Sequence, residues 1–323
     1  FWDIIMEPAA SVTLNSKSRI SAAEMLLYMH LFFIGHPKAF RRRVTTTDHG
    51  TAVIDPWAAR LQSLGAAIQL AAPVPGLRIE GGRAVGVVGE ASRYDHVVLA
   101  ADVPGVRRIL EGSQPFDDTS ARALSGVRSF VRGLGIAPPY SVRRAYFDKP
   151  TRPRPFVESV IETPQHKPIN LLALFHMLED ESKDWATRAG GSVVEFHLYD
   201  TPEFAGLGAD QLWERIRPVA LQVLPELAGA RALDFSLGSF ENFSAFEVGQ
   251  GKNRPRVTSA KQAGLTNLAL AGDWVHTDHP TALMERAVAT GRHAANSILA
   301  ADGLREVAVP AAKKKGPGLL PRF

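Results

Sequence analysis

The run LALAGDWVHTDHPTALMERAVATGRHAANSILA, residues 268 to 300, carries the strongest chemical signal in the sequence. Leu268 to Ala271 are continuously apolar and predict a short buried strand that ends at Gly272-Asp273. Glycine at such a point permits a close backbone approach or an unusual dihedral. An acid at the carboxyl end of the strand stands where open α/β sheets place their ligands. Pro280 suits the first turn of a following helix. Leu283, Ala287, Gly291, Ala294 and Ile298 mark one face of that helix, small enough in part to lie close on a sheet. Its amino end offers unpaired N–H groups and about half a positive charge, which suits a pyrophosphate. A plain crossover helix with Asp273 as a loop cap would show the same pattern.

Three other clusters hold side chains able to do chemistry. In SVVEFHLYD, residues 192 to 200, strict alternation puts Glu195, His197 and Tyr199 on one face with Val193, and Val194, Phe196 and Leu198 on the other. Carboxylate, imidazole and phenol in a row can handle protons; an alternating polar row is also an ordinary solvated face. In FENFSAFE, residues 240 to 247, Phe240, Phe243 and Phe246 alternate with Glu241 and Glu247. Such π density and negative charge can face a developing cation, or the aromatics can simply fill a core. HTDH, residues 276 to 279, has metal-ligand residue types but the spacing of no standard zinc motif, and no metal is expected.

These clusters need a scaffold, and 323 residues suffice for one large domain or two smaller ones. Apolar content of 45% and charged content of 22% are those of a globular protein. A net charge of +4 with no basic stripe interleaved with aromatics excludes nucleic acid as an expected partner. The absence of cysteine removes disulfides, thiolate nucleophiles and iron–sulfur clusters. Residues 20 to 34 have helical period but apolar residues on both sides, interrupted by Glu24 and His30. A helix is predicted from about Pro56 to Leu64 with Asp55 as cap, then strands in AIQLAAPV and LRIEGGRAVGVVGE with Gly81-Gly82 as a hairpin turn. Val97 to Ala101 predict a buried strand and VPGVRRILE a helix. Residues 125 to 250 read as antiparallel sheet with irregular loops, plus a proline-broken helix in ADQLWERIRPVALQVLPEL. The fold class is α/β mixed with antiparallel material, in a discontinuous arrangement. One domain takes 1–52 and 125–250, the other 53–124 and 251–305, and 306–323 reads as a disordered tail.

LALAGDW, with ALMERAVATGRHAAN after it, resembles the closing motif of the FAD-dependent amine oxidase and carotenoid desaturase superfamily. APPYSVRRAYFDKP, GGSVVEFHLYD and RISAAEMLLYMHLFF are similar to the carotene desaturases that form aromatic rings, so the resemblance covers most of the chain. It implies an FAD whose ribityl and pyrophosphate are held by Gly272, Asp273, Trp274, Ala282, Leu283 and Met284. It implies too that Val74, in GAAIQLAAPV, pairs with adenine through its backbone. Arg286 stands where that superfamily commonly has glycine. The Gly-x-Gly-x-x-Gly element with which the family opens has no counterpart in the sequence. The expectation is therefore a fragment, or one half of a split protein whose N-terminal partner carries that motif.

The implied activity is an FAD-dependent oxidoreductase that desaturates a carotenoid, or aromatises its ionone ring with a methyl shift. Its 53–124 and 251–305 pieces would form an incomplete, Rossmann-like FAD-binding domain, and the other two an antiparallel-sheet and helical substrate domain. Glu241, His197 and Tyr199 are the candidate catalytic residues, and Phe240, Phe243 and Phe246 the candidate substrate contacts. Because carotenoids reside in bilayers, a cytoplasmic enzyme peripheral to the membrane is expected, with the 20–34 helix near Arg41 to Arg43 as the contact. A flavin amine oxidase, or a non-catalytic subunit that binds carotenoid or completes a flavin site, are the alternatives.

Overall fold

The computed structural model describes residues 10, 13–16, 18–35, 38, 43–152, 159–204, 206–279 and 283–310. Contacts divide the chain into two units, one of Phe1–Lys17, Arg42–Ala71 and Pro138–Glu241, the other of Ser18–Arg41, Ala72–Ala137 and Asn242–Phe323. Residues 18–35 and 38, read above with the antiparallel material, thus fall in the unit of the α/β pieces.

The second of these units is the α/β one. Helix α1, Ala22–Met29, runs into a π turn at His30–Ile34. Strands β1, Leu77–Glu80, and β2, Arg83–Val87, form the hairpin predicted around Gly81-Gly82, both of which take positive φ. β3, Val97–Leu99, leads to helix α3, Val103–Glu111, whose first turn is capped by the Asp102 carboxylate accepting the Gly105 N–H at 2.7 Å. A two-residue strand β4, Gln114–Pro115, joins the hairpin in parallel beside β1, and helix α4 spans Asp118–Arg132. β3 pairs in parallel with β10, Leu268–Leu270, although some 170 residues separate them in the chain. The last helix, Leu283–Ala301, packs on β10. Leu99, Val103, Val106, Leu124, Val127, Leu268 and Leu270 make the core of this unit. At its neck, Ala137 N–H donates to the Phe243 carbonyl at 2.8 Å and Ala245 N–H to the Gly135 carbonyl at 3.1 Å.

In the sequence, the stretch between those neck residues supplies the antiparallel sheet of the other unit, in the order β6-β7-β8-β5-β9. Its strands are β5, Tyr140–Phe147; β6, Val160–Glu162; β7, Leu171–Leu174; β8, Ser192–Tyr199; and β9, Ala232–Phe240. Helix α5, Asp180–Ala189, precedes β8. Helix α6, Ala209–Val223, sets Leu212, Ile216 and Ala220 into the core with Val194, Phe196 and Leu198, the apolar face predicted for β8.

Several local expectations are corrected. α6 continues through Pro218 rather than breaking there: Pro218 is exposed, so water can satisfy the carbonyl that its missing N–H leaves. Asp55 begins helix α2, Asp55–Ser63, instead of capping it, because a π turn at Gly50–Ile54 runs straight in. Residues 66–76 form no strand and are exposed almost throughout; a strand needs a neighbour to share hydrogen bonds, and among the described residues only Gly76, at the end of the stretch, accepts one from the edge of the hairpin, at Val88 N–H, 2.9 Å. Val98 in β3 is 38% exposed rather than buried on both faces. Residues 304–310 have no regular structure, but Asn296 Nδ2 donates to the Val307 carbonyl at 2.7 Å and its Oδ1 accepts the Val307 N–H at 2.9 Å.

Candidate functional site

The Gly272-Asp273 corner has the close packing that the sequence predicts there. Gly272 has φ +140°, and a Cβ on it would lie 2.5 Å from the Trp274 indole nitrogen. That indole is buried and donates to the Ala101 carbonyl at 2.9 Å. Thr290, one helical turn beyond Arg286, accepts the Gly272 N–H at 3.0 Å and lies 3.0 Å from the Gly272 carbonyl. Asp273 accepts the Ser244 hydroxyl at 2.9 Å. Burial raises its pKa, a tendency that Ser244, Arg254 and Arg286 only partly oppose. The last helix turns a different face inward from the one predicted. Arg286, Ala289, Thr290 and Ala294 are buried while Gly291 is half-exposed, because Thr290 is needed at Gly272 and Arg286 has a buried partner.

That partner is Glu24, the one acid in the apolar helix α1. Arg286 Nη2 donates to Glu24 Oε2 at 3.0 Å, and Arg254 Nε approaches Oε1 at 3.4 Å without making a hydrogen bond. Both guanidiniums face the Phe246 ring, each 5.3 Å from its centre. Arg254 Nη1 donates to the Asp273 carbonyl at 2.7 Å and its Nη2 to the Ala245 carbonyl at 3.2 Å. Burial and the neighbouring Arg286 lower Arg254 to about 10, against the raising effect of Glu24. Burial alone would raise Glu24, but Arg286 and Arg254 outweigh it and hold the carboxyl below its ordinary value. A cavity of about 510 Å³ opens onto these groups, lined also by Lys252, His276 and Thr277. Gly251 forms part of its wall, where a Cβ would come within 3.2 Å of Glu24 Oε1. Ser244, Arg254 and Glu24 join the site without belonging to any of the clusters that the sequence offers as chemical. A lone acid inside an otherwise greasy helix was the available signal, since a buried charge demands a partner.

On the antiparallel sheet, the predicted polar face of β8 is a hydrogen-bonded chain. Tyr199 Oη lies 2.9 Å from His197 Nδ1, and His197 Nε2 lies 2.8 Å from Glu195 Oε1. Arg144 of β5 donates to Glu195 Oε2 at 2.9 Å and to Glu179 Oε2 at 3.0 Å, with its guanidinium 3.5 Å over the Phe175 ring. Burial would raise the Glu195 carboxyl, but His197 and Arg144 together lower it. At the Tyr199 end, Tyr140 meets Tyr199 edge-on at 6.4 Å and stacks on Phe240 at 5.0 Å. Gly238 makes room for that stack: a Cβ there would strike the Phe240 ring at 2.6 Å.

The other candidate residues are scattered. Glu241 is exposed. Phe246 is fully buried beneath the two guanidiniums, and Phe243 meets it at 6.4 Å. Val74 is exposed on the irregular 66–76 stretch. Met284 is exposed, Leu283 opens the last helix with φ +54°, and Ala282 lies outside the described residues. His276 Nε2 approaches Asp278 Oδ1 at 3.2 Å and His279 stacks on His293, and among the described residues no three ligating side chains converge.

A model of the family described as flavin containing amine oxidoreductase matches residues 1–299. The chain belongs to that family. It is similar to a carotenoid phi-ring synthase of Streptomyces griseus, 32% identical over 289 residues, which cover 88% of this chain and 53% of that protein. It is also similar to a carotenoid phi-ring synthase of Chlorobaculum tepidum, 25% identical over 439 residues, with 98% of this chain and 65% of that protein covered. The chain therefore spans between about half and two thirds of the length of these relatives. Its fold is shared with a reduced UDP-galactopyranose mutase, at TM-score 0.50 and 10% identity over 71% of this chain and 46% of that one. It is shared equally with a protein assigned as a protoporphyrinogen oxidase from Exiguobacterium sp. 255-15, at TM-score 0.50 and 15% identity over 76% and 50% of the two chains.

A flavin suits the groups that this family member presents at the corner. The 510 Å³ cavity falls within the ~300–1,000 Å³ typical of small-molecule sites. Lys252, Arg254 and Arg286 outnumber Glu24 on its wall, and Arg254 Nε, buried there 3.4 Å from Glu24 Oε1, makes no hydrogen bond among the described residues. An anionic, hydrogen-bonding ligand would answer both features.

Proposed function

We propose that the chain forms part of a flavin-dependent oxidoreductase that modifies the ring of a carotenoid, with FAD as the flavin. Similarity to two carotenoid phi-ring synthases supports the substrate class, and family membership supports the flavin. The observation that carries the reading is the Gly272 corner, held by Thr290 and backed by two buried arginines beside a cavity. In this proposal the α/β unit takes the flavin, with Gly272, Asp273, Trp274 and the start of the last helix against it. The antiparallel unit takes the carotenoid at its Tyr140, Tyr199 and Phe240 end. When bound, the flavin would accept a hydride from the ring. A glycine-rich dinucleotide cradle would come from a segment outside residues 1–323, on the same polypeptide or on a partner.

Peripheral membrane contact belongs to the same proposal. Leu26, Phe33 and Ile34, in and just after α1, are 68%, 36% and 39% exposed, and such side chains can enter a bilayer interface. Among the described residues no helix is long and apolar enough to cross a membrane; of the nearby arginines, Arg41 and Arg42 lie outside those residues.

The test is expression in a host that accumulates a β-ring carotenoid, followed by the visible spectrum of the purified protein and mass analysis of the pigments. Flavin bands, with pigment that has lost hydrogen but no carbon, are the expected result. Carotenoid bands alone would favour the non-catalytic subunit, and a colourless protein with unchanged pigment would sink the proposal for this chain acting alone.

A further inference from the structure

The cavity beside Glu24 has walls of two kinds. Ala23 and Leu27 of α1, with Val248, give it apolar surface. Arg254, Arg286 and Lys252 give it cationic groups, and Glu24 faces both arginines. All of these residues belong to the α/β unit. Resting on the flavin binding proposed above, we propose that this cavity takes the isoalloxazine ring of the flavin rather than its diphosphate, and that Arg254 and Arg286, with Glu24 as their shared counter-ion, hold the negative charge the ring gains on reduction.

A diphosphate is a poor match for these walls. It is charged and strongly hydrated, and here it would lie against Leu27 and beside a buried carboxylate already bonded to Arg286 at 3.0 Å. The oxidised isoalloxazine ring is uncharged and flat, with apolar faces and hydrogen-bond acceptors along one edge. Apolar walls with a few donors are what such a ligand needs. Arg254 Nε is one donor to hand: it is buried, lies 3.4 Å from Glu24 Oε1, and makes no hydrogen bond among the described residues. Arg286 stands where the superfamily commonly has glycine, so its guanidinium is an addition to the common corner.

The charges give the effect its sign. Arg254 is lowered to about 10 and is still cationic at neutral pH, so the two arginines exceed Glu24 by one charge. Lys252 on the wall adds another, and Asp273, whose carboxylate accepts from Ser244 at 2.9 Å, is the acid behind it. Whether Asp273 is ionised or protonated, a surplus of positive charge remains. Two electrons and one proton added to the ring leave it with one negative charge, which that surplus attracts, whereas the uncharged oxidised ring gains nothing from it. The reduced ring therefore binds more tightly than the oxidised one, and by linkage its reduction potential rises.

Two measurements on the full chain test this. The first uses riboflavin, which has the ring without phosphate, and ADP, which has the diphosphate without the ring. The chain should quench riboflavin fluorescence, and excess ADP should not restore it. Gly251→Val, which places a side chain on the cavity wall beside Glu24, should abolish the quenching with the circular dichroism spectrum unchanged. No riboflavin binding, displacement by ADP, or indifference to Gly251→Val overturns the placement of the ring. The second is the midpoint potential of the bound riboflavin in a dithionite titration against a reference dye. Glu24→Gln should favour the reduced ring by about tenfold, a rise of about 30 mV for a two-electron couple. Lys252→Glu, at an exposed position, should shift the potential the other way. A potential unmoved in both variants overturns the role of the charges; should Glu24→Gln fail to fold, Lys252→Glu decides alone. Neither measurement contains a carotenoid. A chain that passes both and converts no carotenoid sinks the proposed function and leaves this inference standing, whereas a chain that converts a carotenoid and fails either one sinks this inference alone.

Discussion

Glu24 compensates two guanidiniums that burial has stripped of water, and its removal should be felt before anything else at the corner. Glu24→Gln removes the carboxylate that both Arg254 and Arg286 face, which should cost about 3–5 kcal/mol in urea denaturation at neutral pH. Because the folded Glu24 pKa is depressed, its contribution is complete above the ordinary carboxylate value of about 4.3 and is lost as pH falls through the lower folded value. Asp273 has the opposite sign. Its folded pKa is raised, so it weighs against stability above that value, and the penalty is relieved as pH falls. Asp273→Asn should therefore leave the flavin-free chain as stable or more so at pH 7 while weakening flavin retention, a result that melting curves and flavin absorbance read separately. Gly272→Ala combines a positive φ with the Trp274 indole in the way, and should lower the urea midpoint by an amount worth ~1–3 kcal/mol.

At the scale of elements, one-sided burial governs what can be changed. In α6, Leu212, Ile216 and Ala220 recur at intervals of four and meet the sheet, so Ile216→Ala should cost about 2–5 kcal/mol in thermal or urea unfolding. The β1–β2 hairpin, the α3 helix and the two faces of β8 were legible in the sequence, because each is set by neighbours a few residues away. The inward face of the last helix was not. A stripe of small residues looked like its packing face, whereas the buried positions are fixed by Gly272 and Glu24, 18 and 262 residues away along the chain. The 66–76 stretch failed for a similar reason: its apolar residues have strand composition, but composition supplies no neighbouring strand. The hydrogen-bonded chain on β8 lay between these cases. Its three side chains could be placed on one face, while Arg144 and Tyr140 join them only through the β5 register.

Across the whole molecule, β3 and β10 are pairing partners that must wait for everything between them to be made. The neck at Gly135–Ala137 and Phe243–Ala245 shortens that wait, since its hydrogen bonds already bring the two sides together. Replacing residues 138–241 with a short glycine–serine link should leave the β3 and β10 amides protected in hydrogen exchange; their full exchange would show that the α/β unit depends on the excised piece. The antiparallel sheet and its core lie wholly within residues 138–241. A gene encoding this chain accordingly carries a 138–241 stretch whose two borders are tied at adjacent points, although Asp180 N–H also donates to the Thr46 carbonyl at 2.7 Å, outside that stretch.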